Sequence, residues 1–277
     1  MSSPPIVVKI GGSTLTHRDT SLKDLVTLQK QGARMVVVHG GGNVISQWMQ
    51  RQGIPPRFVD GLRVTDADSL EIVVAVLTGL INKELVSEIH SLGGRAMGFS
   101  GIDGGLLEAY IARPELGYVG EVTRVDPEPI MAILNSGFIP MMAPLAFHRL
   151  DGSEHAGCAL NINGDTVAGE VARALAAERL VFLTDVAGVM DGNGRVVPRL
   201  DRRRAGNLLR SGVVRGGMIP KLEACLRALE RSPYADIIDG REPNALMDCL
   251  MGRATGTRIV RYVRGDTSPG YIPLDRN

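Results

Sequence analysis

Short, nearly continuous apolar runs recur along this chain, and they constrain its fold more than any other feature. The strand candidates are Ile6–Ile10, Met35–His39, Arg95–Phe99, Ile139–Met142, Leu180–Thr184, Asp236–Asp239 and Arg258–Val263. Most are apolar at consecutive rather than alternate positions, which suits strands covered on both faces. Segments with helical spacing separate them, near 20–31, 43–52, 66–92, 127–137, 165–177, 202–211 and 220–231. Strand alternating with helix predicts an α/β chain with a largely parallel sheet.

Within this pattern, Thr65-x-x-Asp68 predicts a cap for the 66–92 helix. Leu70, Val73, Val74, Leu77, Leu80 and Ile81 form one apolar face, yet Ile72 and Val76 lie elsewhere on the wheel. A helix apolar over so much of its circumference is either a central core helix or a subunit-interface helix. A hairpin is expected between Leu106–Arg113 and Tyr118–Arg124, with turn chemistry at Pro114-Glu115-Leu116-Gly117. Gly192-Asn193-Gly194 reads as a loop or hairpin tip, and Gly265–Asn277 as a surface tail.

Composition narrows the function classes. In 277 residues, Lys+Arg number 31 against Asp+Glu 30, a net charge of +1, so neither a nucleic-acid nor a membrane-surface partner is expected. The short basic stretch Arg202-Arg203-Arg204 reads as solvated surface. Cys158, Cys225 and Cys249 show no paired spacing, which argues against a disulfide framework or a zinc site. No apolar run reaches the ~18 residues of a membrane span, and no secretory signal pattern opens the sequence. A cytoplasmic location is the expectation.

Several pieces carry possible chemistry. Lys9 ends a buried run and precedes Gly11-Gly12. Such a lysine either reaches solvent over a glycine turn or faces an anion cradled by backbone N–H groups. His39-Gly40-Gly41-Gly42 joins a strand to a helix start, which forms either a tight turn or an anion site; His39 reads as an organiser of that turn. Arg63, in Gly61-Leu62-Arg63-Val64-Thr65, is either a surface arginine or a bidentate grip on a carboxylate. Asn161-Ile162-Asn163-Gly164-Asp165 either caps a helix or forms a polar substrate cluster. Leu183-Thr184-Asp185-Val186-Ala187-Gly188-Val189-Met190 runs from a strand into a small-residue turn suited to a nucleotide edge. Lys221 follows Gly216-Gly217-Met218-Ile219-Pro220 in a helix first turn, where the dipole disfavours a cation and a phosphate accounts for one.

Taken in order, Val8-Lys9-Ile10-Gly11-Gly12, His39-Gly40-Gly41-Gly42, Gly61-Leu62-Arg63-Val64-Thr65, Asn161-Ile162-Asn163-Gly164-Asp165, Leu183-Thr184-Asp185-Val186 and Gly217-Met218-Ile219-Pro220-Lys221 resemble the amino acid kinase family, over about Ile6 to Val260. One departure is Gly164, where that family usually has alanine. The resemblance implies a three-layer αβα sandwich around a mainly parallel sheet. It implies an N-terminal lobe (1–175) for the acyl amino acid and dimerisation, a C-terminal lobe (176–264) for the nucleotide, and a tail (265–277). It implies ATP with Mg²⁺ and phosphorylation of the γ-carboxylate of N-acetyl-L-glutamate in arginine biosynthesis. A carrier-bound aminoadipate or glutamate, or a non-catalytic sensor, is the alternative.

The residue roles follow from the same resemblance. Lys9 and Lys221 would stabilise the transferring group, with Asp165 holding both. Gly41, Gly42, Arg63 and Asn161 would bind the acyl amino acid. Gly11, Gly12, Asp185, Gly188, Met190, Gly217 and Met218 would bind the nucleotide, and no protein metal site is expected. The resemblance and the apolar 66–92 helix together imply a homodimer. Arginine-inhibited members carry an extra N-terminal helix, and the five residues Met1 to Pro5 before the first strand predict indifference to arginine.

Overall fold

The computed structural model describes residues 3–11, 20–149, 157–253 and 256–261. Strands β1–β14 and helices α1–α9 are numbered in chain order. The main sheet has eight strands in the order β12 (Arg199–Asp201), β14 (Thr257–Val260), β13 (Tyr234–Asp239), β11 (Arg179–Thr184), β1 (Ile6–Ile10), β2 (Met35–His39), β8 (Ile139–Ala143) and β5 (Ala96–Ser100). Only β13 and β14 pair antiparallel; the remaining neighbours are parallel. β1, β2, β8 and β11 are buried at every position, as their largely apolar sequences favour.

Strand alternation divides this sheet into two faces. Val7, Val36, Val38, Leu180 and Phe182 share one apolar cluster with residues of α5 (Glu128–Asn135), α6 (Gly164–Ala174), α7 (Arg202–Arg210) and α8 (Met218–Ala228). Ile6, Val8, Ile10, Val37, Val181 and Leu183 share the other with α1 (Thr20–Lys30), α2 (Gly42–Arg51), α3 (Ala67–Val74), α4 (Asn82–Ser91) and α9 (Ala245–Leu250). The result is the expected three-layer α/β sandwich. A four-stranded sheet, β10 (Ala159–Asn161), β9 (Leu145–His148), β6 (Leu107–Tyr110) and β7 (Glu121–Val125), flanks it. β6 and β7 form the expected hairpin, with a bulge between Glu108 and Ala109.

The 66–92 segment differs from expectation in two ways. Its cap is Asp66 rather than Thr65: the Asp66 side chain accepts from the Ser69 N–H at 3.0 Å, while Thr65 is fully buried. Between α3 and α4 lies a π-helical stretch, Ala75–Ile81, where Thr78 Oγ1 donates to the Val74 carbonyl at 2.8 Å. Wider turns shift the phase of all that follows. Ile72 and Val76 are buried on one α-helical face with Ser69, Val73 and Leu77, and the residues whose phase the wider turns shift are those beyond, Ile81, Asn82, Leu85 and Ile89.

The shorter elements escaped the sequence reading. The hairpin β3 (Phe58–Val59) and β4 (Leu62–Arg63) turns at Asp60-Gly61, both at positive φ (51° and 78°). That dipeptide is the strongest short hairpin signal and was the legible clue. The sequence predicts β14 as far as Val263, but its described length ends at Val260; Tyr262, Val263 and the 265–277 tail lie outside the described residues. α9 lacks a local cap, since Asn244 precedes it at φ 60° with no side-chain bond. Its N–H groups at Leu246 and Met247 are instead met by the buried Asp24 carboxylate of α1, at 3.2 and 3.3 Å. Asp24→Ala is expected to destabilise the fold by about 1–3 kcal/mol, the cost of buried donors left unpaired, read by urea denaturation.

Candidate active site

β1 ends with its side chains on alternate faces, so Lys9 joins Val7 on the α6–α8 face. There it reaches the N-terminus of α6, which Asn163 caps by accepting from the Asp165 and Thr166 N–H groups at 2.9 and 3.2 Å. Of the two roles open to this asparagine cluster, capping falls to Asn163. The cap sets Asp165 in the first turn, where the helix dipole favours a carboxylate.

Asp165 is buried and meets Lys9 Nζ at 2.7 Å through Oδ1 and Lys221 Nζ at 3.1 Å through Oδ2. Burial works to raise the pKa of this carboxyl, but the charges and hydrogen bonds of both lysines prevail and hold it below the usual carboxylate range. Lys221 Nζ also donates to the Gly217 carbonyl at 3.2 Å, which folds its side chain back over the start of α8. Two ammonium groups thus share one carboxylate, leaving a net positive charge in a largely dry place. An added Cβ at Gly164 would lie 3.6 Å from Lys9 Cε and 3.7 Å from the His39 carbonyl oxygen. These are ordinary contacts, so alanine would fit, and glycine there frees the backbone without removing a functional group.

The glycine turn lies beside Lys9, since Ile10 and His39 are register partners in β1 and β2. The Gly40 N–H extends the sheet by donating to the Ile10 carbonyl at 3.0 Å. The N–H groups of Gly41 and Gly42 have no partner among the described residues. Together with the α2 dipole they form a receptor for negative charge. Gly41 cannot be larger: a Cβ there would sit 2.5 Å from Ile81 Cδ1 and 2.8 Å from Leu77 Cδ2.

Arg63 sits on β4 directly opposite Phe58, whose ring lies 4.8 Å from the guanidinium carbon. Its Nη2 donates to the Gly42 carbonyl and to Ser46 Oγ, both at 2.8 Å, and Nη1 approaches Met49 Sδ at 3.1 Å. The guanidinium is therefore locked to the start of α2. Sequence reasoning missed Ser46, Met49 and Phe58, which become partners only through the hairpin. Asn161, at the end of β10, donates to Thr65 Oγ1 at 3.1 Å and so lies next to the β4 segment.

The remaining site residues are placed less compactly. The Gly11 N–H donates to the Leu183 carbonyl at 3.1 Å, which continues the β1–β11 pairing. Gly12 lies outside the described residues. Asp185, Gly188 and Met190 follow β11, the immediate neighbour of β1. Gly188 is buried at φ 150°, where a Cβ would lie 2.7 Å from Thr257 Oγ1, so packing alone demands glycine there. Asp185 and Met190 are exposed, and Gly217 and Met218 open α8.

A cleft of about 1050 Å³ runs between the β3–β4 turn (Asp60, Gly61), Arg113, Asn163 and the start of α8 (Gly217, Pro220). Lys9, Asp165 and Lys221 are not among its lining residues, although their chain neighbours Asn163, Thr166 and Pro220 are. Arg113 pins the hairpin turn from across the cleft mouth, with Nη1 3.0 Å from Asp60 Oδ2. Among the described residues, no three His, Cys, Asp or Glu side chains group to hold a metal, and no helix is long and apolar enough to cross a membrane.

Comparison with known proteins agrees with this geometry. Residues 4–239 match the amino acid kinase family. An acetylglutamate kinase of Dehalococcoides mccartyi (strain CBDB1) is 44% identical over 254 residues, spanning 92% of this chain and 93% of that protein. An acetylglutamate kinase of Synechococcus sp. (strain CC9605) is 45% identical over 267 residues, spanning 92% and 88%. The crystal structure of smu.665 from Streptococcus mutans UA159 superposes with a TM-score of 0.80 at 30% identity, covering 94% of this chain and 99% of that one. By sequence and by fold, the chain belongs to the amino acid kinase family.

Proposed function

We propose that this chain transfers the γ-phosphoryl group of ATP to the γ-carboxylate of N-acetyl-L-glutamate, giving N-acetyl-L-glutamyl 5-phosphate and ADP, a step of arginine biosynthesis. The observation that carries the reading is the buried Asp165 holding Lys9 and Lys221, beside Gly41 and Gly42 N–H groups that have no partner among the described residues. The names of the two acetylglutamate kinase relatives support the choice of substrate.

The chemistry suits these residues. A carboxylate nucleophile with a reference pKa near 4.3 is ionised at pH 7, so no general base is required. One of its oxygens attacks the γ-phosphorus as the bridging P–O bond breaks, and ADP leaves with the electron pair. Two anions must meet, and the barrier is electrostatic. Lys9 and Lys221 bring positive charge to the transferring group, and the Gly41 and Gly42 N–H groups orient its oxygens. Arg63 and Asn161 hold the acyl amino acid, by its α-carboxylate and its N-acetyl end respectively. Asp185, Gly188, Met190, Gly217 and Met218 line the nucleotide. Mg²⁺ bound with ATP would screen the charge of its phosphates, alongside Lys9 and Lys221.

A coupled assay of ADP release with N-acetylglutamate, glutamate, aspartate and aminoadipate tests the assignment. Turnover only with N-acetylglutamate is expected; preference for a free amino acid would overturn it. Lys9→Ala and Lys221→Ala are each expected to lower kcat by roughly 10²–10³, the loss of one transition-state donor. Asp165→Asn is expected to lose activity in the same assay and to lower the melting temperature, because two buried ammonium groups lose their shared counter-charge.

Arg63→Lys is expected to raise KM for the acyl amino acid and leave KM for ATP unchanged, because a point charge replaces a planar fork. A change confined to the ATP KM would assign Arg63 to the nucleotide instead.

The homodimer also belongs to this reading, supported by the apolar α3–α4 segment. Light scattering is expected to give twice the mass of one chain; a hexamer would contradict it.

A further inference from the structure

On β2, Val36 and Val38 face α6 and α8, so His39 faces the opposite layer. It is wholly buried there, and its two ring nitrogens have different partners. Nδ1 lies 3.1 Å from the Gly40 carbonyl oxygen, and Nε2 lies 3.1 Å from Asn82 Nδ2. A carbonyl can only accept and an amide nitrogen can only donate, so the ring is the neutral tautomer with its proton on Nδ1. Burial above all, helped by the charges of Lys9 and Lys83 against the Gly40 hydrogen bond, holds the imidazole pKa down to about 4.

Asn82 is equally buried, and its amide is oriented on every side. Nδ2 also donates to the Met141 carbonyl at 2.8 Å, and Oδ1 accepts from Lys83 Nζ at 3.0 Å. Lys83 Nζ in turn donates to the Gly98 carbonyl at 3.2 Å. Only glycine at 98 admits this amide, because a Cβ there would lie 1.9 Å from Asn82 Oδ1. Asn82 is the first residue after the π-helical stretch. Without the phase shift of those wider turns, its side chain would leave the helix in another direction. The same stretch supplies Leu77 and Ile81, which close on Gly41.

We infer that Asn82 and His39 are positioning residues for phosphoryl transfer: Asn82 sets the tautomer of His39, whose Nδ1–H grips the Gly40 carbonyl and thereby aims the Gly41 N–H at the transferring group. The link is peptide planarity. In a trans peptide the C=O and the following N–H point opposite ways, so a grip on one aims the other. Arg63 Nη2 on the Gly42 carbonyl restrains the far end of the same turn. The tether matters on the phosphoryl-transfer reading proposed above, since it orders a donor used on the reacting phosphate.

The test pairs two variants with a measurement on the unaltered protein. Asn places an amide where Nδ1 was, so His39→Asn keeps a donor for the Gly40 carbonyl; Gln places one where Nε2 was, so His39→Gln keeps only the partner of Asn82. His39→Gln is expected to lower kcat by about 10², with both KM values within about threefold, as for a misdirected transition-state donor. His39→Asn is expected to stay within about tenfold of wild type, the scale of one lost neutral hydrogen bond. Equal kcat for the two variants, or losses confined to KM, would overturn the tether. If either variant fails to fold, ¹⁵N NMR of the wild-type imidazole decides: a proton on Nδ1 at pH 7 is expected, and a proton on Nε2 would overturn the inference. Wild-type turnover is read in the same assay. Its absence with N-acetylglutamate would refute the functional reading alone, and the tautomer would then judge the tether by itself.

Discussion

One buried carboxylate organises the candidate active site of this molecule. Asp165 bonds Lys9 from the first strand of the chain and Lys221 from a helix more than fifty residues beyond it. Removing a partner from a buried ion pair typically costs about 3–5 kcal/mol, because the remaining charge is left uncompensated. Here the balance is deliberately incomplete, with two cations against one anion. The excess positive charge lies among side chains that are largely shielded from water, and on the proposed reading a phosphate would balance it. The electrostatics of the site and the docking of α6 and α8 on the sheet therefore rest on the same three side chains.

The sheet turns this local arrangement into a two-sided site. Alternation along β1 sends Lys9 toward α6, and alternation along β2 sends His39 toward α4. The glycine turn sits where these two strands end, with charge on one face and a neutral hydrogen-bond network on the other. This division is physically useful. A protonated His39 near Lys9 would add repulsion, and burial keeps it neutral, so it orients backbone without changing the charge of the site. Arg63 performs a related task from the hairpin, spending one edge of its fork on the Gly42 carbonyl and Ser46.

The π-helical stretch interrupts the long helix beside this network. π turns have poorer backbone geometry than α turns and persist where packing or function overrides the preference. Here both reasons are visible. Leu77 and Ile81 fill the space that a side chain at Gly41 would need, and Asn82 arrives in line with His39.

The sequence alone determined the layered fold, because continuous apolar runs such as Met35–His39 can be buried only in a sheet covered on both faces. It also marked Lys9, Lys221 and the triple glycine, since a lysine in a helix first turn and glycines at a strand end contradict local preference. Other features depended on distance in the chain. Asp24 caps α9 from 222 residues away, and Asn82 meets His39 across 43. Helical periodicity cannot register a π turn, so the direction of Asn82 was invisible in the sequence. The bond from the Gly11 N–H to the Leu183 carbonyl likewise depends on a strand far along the chain. Local sequence reports the preferences of single segments. Which buried donor meets which acceptor is decided only when the segments pack, because an unpaired polar group costs nothing until water has been removed from it.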